Sequence, residues 1–134
     1  MSREFKHPTV EAVLAIHEEV LKAHGGSPGL RSRELLESAV AAPQATMMGA
    51  PMISKPLEIA AAYLFYLCSN HAFVDGNKRI GHAALETFIA LNGFELSAPL
   101  DEQEQIVLRL AAGELSREEW TNWVQEHLVR MNTA

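Results

Sequence analysis

Nine residues near the middle of the chain, His71-Ala72-Phe73-Val74-Asp75-Gly76-Asn77-Lys78-Arg79, carry an imidazole, a carboxylate, a carboxamide, an ammonium and a guanidinium. Few structural purposes need that density of reactive and anion-binding groups. Asp75-Gly76 is a turn signal, and Asn77 reads as the N-cap of a following helix. The backbone N–H groups of Gly76, Asn77 and Lys78 then fall at a helix N-terminus, where free donors and the positive dipole end attract an anion. Gly76 lets a ligand approach the backbone closely. Lys78 and Arg79 add positive charge where a phosphate would sit. Asp75 is suited to hold Mg²⁺ there rather than only to neutralise the two cations. His71, at the end of the preceding helix, reads as a proton acceptor. Phe73 is the odd apolar residue and reads as the plug that pins the loop to the core. Each residue also has a plainer reading. His71 is an imidazole favoured by a helix C-terminal dipole, Asp75 a turn residue, Asn77 only a cap, and Lys78 with Arg79 a solvated pair. A zinc site from His71, Asp75 and His82 has no HExxH or CxxC spacing behind it, and no Walker-type GxxxxGK[ST] is present.

Two helices must hold this loop. The apolar run Ile59 to Cys68 leads into it, within a helix opened by Ser54 and Pro56 and running to about His71. After the loop, Ile80, Ala83, Ala84, Phe88 and Leu91 give a core-facing stripe, ended by Asn92-Gly93. Upstream, Thr9 caps a helix over 9–24 with Val10, Val13, Leu14, His17, Val20 and Leu21 at helical spacing. Gly25-Gly26 stops it, and Ser27-Pro28-Gly29 is a turn. Ser32 caps a second helix with Leu35, Leu36 and Val40 inward, ended before Pro43. Residues 43–55 read as a loop interrupted by Pro43, Gly49, Pro51 and Ser54. Downstream, a helix over about 101–112 places Ile106, Val107 and Leu110 inward, and Gly113 breaks it. Ser116-Arg117-Glu118-Glu119 is a capping box for a last helix bearing Trp120, Trp123, Val124 and Leu128. The expectation is an all-α helical bundle, a single domain over 1–134, with at most one small hairpin near residues 43–55.

Composition narrows the function. Acidic residues outnumber basic ones 17 to 11, giving a net charge of −6. A general nucleic-acid-binding surface needs clustered Lys and Arg and is not expected, although the local Lys78-Arg79 pair is compatible with this charge. The single cysteine, Cys68, permits no intrachain disulfide, fits a reducing compartment, and reads as a small buried hydrophobe. Met1 to Lys6 has no apolar signal core, and Ile59 to Cys68 is too short to span a bilayer. A cytoplasmic protein without membrane contact is expected.

The run HxFxDGNKR resembles the Fic/Doc motif, and its Lys78 places it with the Doc (death-on-curing) branch. Fic enzymes that transfer AMP typically carry Gly at the Lys78 position and a second Arg three places after the first, where this chain has His82. The upstream stretch from Ile16-His17 through Gly25 to Arg31 and on to Ala39 is also similar to Doc-like proteins, and the resemblance spans most of residues 9–93. It implies a compact Fic/Doc-type helical bundle. It implies a bacterial toxin of a toxin–antitoxin pair, a kinase that transfers the γ-phosphoryl group of ATP to a hydroxyl of a target protein, with elongation factor Tu as the family's known target. His71 would be the catalytic base, and Asp75 the Mg²⁺ ligand. Gly76, Asn77, Lys78 and Arg79 would hold the nucleotide phosphates, Lys78 and Arg79 also stabilising the transferring group. Residues 43–55 would carry the family's flap, which docks the target chain as an added strand. The inhibitory helix motif [S/T]xxxE[G/N] of Fic proteins is incomplete here, because Ser54-Lys55-Pro56-Leu57-Glu58 is followed by Ile59. Control would then come from a Phd-like antitoxin whose C-terminal segment folds onto the chain. Two alternatives stand: a Fic-type adenylyltransferase using the same His71 on the α-phosphate, and a non-catalytic protein that binds only its antitoxin or nucleotide. The residues assign no role to His17, Arg31 or His82; His82 faces either nucleotide or solvent.

Overall fold

The computed structural model describes residues 5–131. Six α-helices make up most of it. Helix α1 spans Val10–His24 and is capped by Thr9, whose hydroxyl accepts from Ala12 N at 3.0 Å. Helix α2 spans Arg33–Ala41; Ser32 caps it by accepting from Leu35 N at 3.1 Å, and a 3₁₀ turn over Ala42–Gln44 extends it to Pro43. Then come the hairpin strands β1, Thr46–Met47, and β2, Ala50–Pro51. Helix α3 spans Pro56–Asn70 and α4 spans Asn77–Leu91. Strand β3, Phe94–Leu96, precedes α5, Leu100–Ala111, and α6, Arg117–His127, runs into strand β4, Leu128–Arg130.

Helix α3 is apolar on every side, the signature of a buried helix. Residues Ile59 to Leu64, Leu67 and Cys68 are all buried, and the other helices pack round them. Its main partner is α4. The two backbones approach closely at Gly81, where a Cβ would stand 3.2 Å from Leu64 O. Ile80, Ala84, Leu85, Phe88 and Ile89 bury the facing stripe of α4. Trp120 anchors α6 from the other side: its indole N–H donates to Ala61 O at 3.0 Å, and its ring is 1 % exposed. Full burial of a large apolar side chain contributes about 1.5–3 kcal/mol, so this one residue fixes α6 to the core. The capping box starts α6 as expected, with Ser116 and Glu119 bonded reciprocally.

The mainly α-helical expectation holds, with two differences. Strand β3 pairs antiparallel with β4, a second small sheet that joins segments over thirty residues apart. Leu35 and Leu91 lie on the solvent side, 36 % and 44 % exposed, because Leu36 and Ile89 take the core positions of their turns. The one expected hairpin does fall within 43–55, with Thr46 opposite Pro51 and Met47 opposite Ala50. Its turn residues, Met48 and Gly49, both have positive φ, 53° and 81°, the requirement of a type I′ two-residue turn. No helix of the described residues is long and apolar enough to cross a membrane.

Candidate active site

The loop between α3 and α4 begins with a strained residue. His71 ends α3 at φ 49°, ψ 49°, in the left-handed region. A non-glycine residue there costs on the order of 1–3 kcal/mol and persists only where its surroundings hold it. The next two residues supply that hold, because Ala72 and Phe73 are 1 % and 2 % exposed. His71 itself is exposed, and no hydrogen bond within the described residues engages its ring.

The segment before α2 clamps the loop from outside. Arg31 N and Ser32 N both donate to Ala72 O, at 2.7 and 3.0 Å, and Val74 N donates to Gly29 O at 3.1 Å. Arg31 and Ser32 thus act through their backbones. From inside, the buried ring of His17 stacks on Phe73 with centroids 3.8 Å apart. Its Nε2–H donates to Asp75 O at 2.8 Å. Phe73 is therefore the plug its sequence suggested, and His17 is its partner. This role was missed, although the signal was present: an imidazole at a core position of α1's apolar spacing.

Two site residues differ from expectation. Asn77 is the first residue of α4 and not its cap; Gly76, at φ 79°, is the N-cap. The Asn77 carboxamide turns back to the loop instead. It accepts from Phe73 N at 3.0 Å and donates to Phe73 O at 2.9 Å. Two bonds to one buried residue hold it more firmly than a single capping bond would. Gly76 N–H, expected to face an anion, is taken by Asp75 Oδ1 at 2.9 Å. The Asn77 and Lys78 amides remain as the open donors of the first turn of α4.

Asp75 is exposed but oriented. Its Oδ2 accepts from Ser27 N at 3.1 Å. The N–H of Ser27, then that of Gly76, and more weakly the charges of His17 and Arg79 hold its carboxyl below the ordinary Asp pKa. Close approach of the 25–29 turn makes this possible: a Cβ on Gly26, at φ 123°, would stand 2.9 Å from Asp75 Oδ2. Each Asp75 oxygen receives one N–H and keeps a lone pair, so a hard cation could bind there. One carboxylate suits Mg²⁺, which is commonly held by one or two carboxylates together with substrate phosphates. Among the described residues no group of three or more His, Cys, Asp or Glu could hold a metal unaided.

Lys78 and Arg79 are exposed and line a cavity of about 280 Å³ between α4, α5 and the end of α1. His82 and Glu86 continue its α4 wall, Leu100, Glu104 and Val107 form the α5 side, and His24 stands at the α1 end. His71 and Asp75 are not part of this wall. The candidate residues thus fall into two adjoining groups: His71, Asp75, Gly76 and Asn77 on the clamped loop, and Lys78 and Arg79 where that loop passes into the cavity. His82 is turned inward, its side chain 13 % exposed.

Known proteins are similar to this chain in sequence. Residues 28% identical over 112 positions relate the chain to "Protein kinase doc" of Escherichia phage P1, covering 83% of this chain and 86% of that one. "Toxin Doc" of Mycolicibacterium smegmatis is 47% identical over 79 residues, 59% of this chain and 61% of the relative, so the match spans less than two thirds of that protein's length. The Fic/DOC family model matches residues 7–89. That range takes in α1 with His17, the clamping turn, the hairpin, α3 and all of the loop through to Ile89 of α4. By these matches and the motif they enclose, the chain belongs to the Fic/DOC family.

Proposed function

We propose that this chain is the toxin of a bacterial toxin–antitoxin pair and acts as a protein kinase, moving the γ-phosphoryl group of ATP to a hydroxyl of elongation factor Tu. The observation that carries the reading is the start of α4. There Lys78, beside Arg79, puts an exposed ammonium at the helix N-terminus, next to a loop held rigid by His17, Asn77 and the 27–32 backbone. Phosphoryl transfer needs positioning and charge stabilisation more than covalent help from the protein, and this arrangement offers both. The printed names of the two relatives, a toxin and a protein kinase, support the same reading.

The residues divide the work. His71 accepts the proton of the target hydroxyl as its oxygen bonds to the γ-phosphorus. The bond from that phosphorus to the β–γ bridging oxygen breaks, and ADP leaves. The Asn77 and Lys78 amides, with the Lys78 and Arg79 side chains, take up the charge that moves outward onto the phosphate oxygens. Asp75 would hold Mg²⁺, which supplies further neutralisation of phosphate charge. The exposed β1–β2 hairpin, with Met47 and Met52 on its surface, would dock the target segment as an added strand. Ser54 to Glu58 runs straight into α3, whose next residue, Ile59, is buried, so it does not supply a separate inhibitory helix. Control belongs to a Phd-like antitoxin acting in the bacterial cytoplasm. The test is incubation with Mg·ATP and purified elongation factor Tu followed by intact mass measurement. A phosphate-sized gain supports the kinase; a nucleotide-sized gain would replace it with AMP transfer.

A further inference from the structure

His17 puts a polar ring into the core, where it is 4 % exposed. Burying an imidazole costs free energy unless its polar atoms are bonded. Packing alone does not call for one. A phenyl ring could take the same place on Phe73, whose ring lies 3.8 Å from that of His17 at an interplanar angle of 17°. What a phenyl ring could not supply is the bond from Nε2 to Asp75 O at 2.8 Å. A carbonyl oxygen only accepts, so Nε2 carries a hydrogen whether the ring is neutral or charged.

The Asp75 carbonyl and the Gly76 N–H are the two ends of one peptide unit. In a trans peptide they point in opposite directions. His17 draws the carbonyl inward to α1, so the N–H points the other way, where Asp75 Oδ1 accepts it at 2.9 Å. Half a turn of this unit would set a carbonyl oxygen against the carboxylate in place of that N–H. Glycine does not oppose the turn: Gly76 sits at φ 79° and takes a negative φ as readily. The Gly76 carbonyl belongs to the next unit and keeps its bond from Ile80 N, 2.9 Å, either way. After such a turn Ser27 N, at 3.1 Å from Oδ2, would hold the carboxylate by one oxygen alone.

We infer that His17 is a positioning residue for the Mg²⁺ carboxylate: it locks the Asp75–Gly76 peptide unit in the orientation that keeps Asp75 Oδ1 on the Gly76 N–H. It acts through the Asp75 backbone from inside the core, and the role rests on the reading of Asp75 as the Mg²⁺ ligand of the proposed kinase. With one carboxylate oxygen held by Gly76 and the other by Ser27, a cation binds without first ordering the side chain.

The test compares the unmodified chain with two variants. His17→Phe keeps a ring on Phe73 but has no donor. His17→Gln carries a side-chain N–H as many bonds from Cα as Nε2. The first readout needs no ligand: hydrogen exchange of the Gly76 amide by NMR. Loss of its bond to the carboxylate should speed exchange roughly tenfold in His17→Phe, and His17→Gln should slow it again. The second is the gain in affinity that Mg²⁺ brings, the ratio of Kd for ATP in EDTA to Kd for Mg·ATP, by calorimetry. That ratio should fall about 10–100-fold in His17→Phe and recover in His17→Gln, with binding of metal-free ATP the same in all three. A loop that had merely loosened would weaken metal-free ATP as well. The third readout uses the unmodified chain alone and stands even if the variants fold poorly: ¹⁵N shifts of the His17 ring should show the hydrogen on Nε2. Unchanged Gly76 exchange in His17→Phe, an unchanged affinity ratio, or a ring hydrogen on Nδ1 alone overturns the proposal and leaves the kinase reading standing. No binding of ATP by the unmodified chain, with or without Mg²⁺, overturns both.

Discussion

At the scale of single residues the proposed chemistry rests on His71. It is exposed, held in a left-handed conformation and free of protein hydrogen bonds within the described residues. Replacing it by alanine removes a proton acceptor without touching a packing contact of the core. His71→Ala should keep the thermal midpoint nearly unchanged and lower the rate of phosphoryl transfer by about 10²–10⁴-fold; single-turnover kinetics beside thermal melting would check both halves. Asp75 gives a prediction in pH. Its folded pKa is depressed, so the stability it contributes is fully present above its unfolded pKa. That stability is lost as pH falls through the lower folded value. The melting-temperature gap between the unmodified chain and Asp75→Asn should be steady near neutrality and close on the acid side of the ordinary Asp range. A gap independent of pH would mean that the Ser27 and Gly76 bonds do not favour the carboxylate. These residues were legible in the sequence because nine consecutive positions carried them. His17's core position in α1 was legible too, but its role was not, since its partners Phe73 and Asp75 lie over fifty residues away.

The clamping turn between α1 and α2 decides the geometry at the scale of elements. Its glycines allow the backbone of residues 25–29 to lie against Asp75, and Gly26 is the tightest point. Gly26→Ala places a Cβ 2.9 Å from Asp75 Oδ2 at a φ of 123°, which an L side chain rarely adopts. The expected result is a destabilisation of roughly 1–3 kcal/mol with a loss of activity, read from denaturant unfolding and transfer rate. A fully active and equally stable variant would show that the turn does not position the loop. Helix spans and caps were readable from local signals: Thr9, Ser32 and the Ser116–Glu119 box cap α1, α2 and α6 as their side-chain types suggest. The start of α4 was misread for a physical reason. Asn77 is a good cap by type, but tertiary structure gives its carboxamide two bonds to Phe73 and leaves Gly76 at the cap. The β3–β4 pair was invisible because three-residue strands carry too little pattern to show a partner across two helices.

The fold as a whole sets the clamped loop that follows the buried helix α3 beside a cavity lined by Lys78 and Arg79. The mainly helical class followed from the apolar run of α3 and the stripes that flank it. The cavity did not, because it needs α1, α4 and α5 brought together. Family membership extends over 7–89, so the loop and its clamp lie inside the matched region while α5 and α6 lie beyond it. This assembly is proposed to move a phosphoryl group. The most direct measurement supplies Mg·ATP labelled at either the α- or the γ-phosphate, with elongation factor Tu as acceptor and His71→Ala as control. Label on the acceptor is expected from γ-labelled ATP alone, and none with the variant. Label from α-labelled ATP, or equal labelling by His71→Ala, would contradict it.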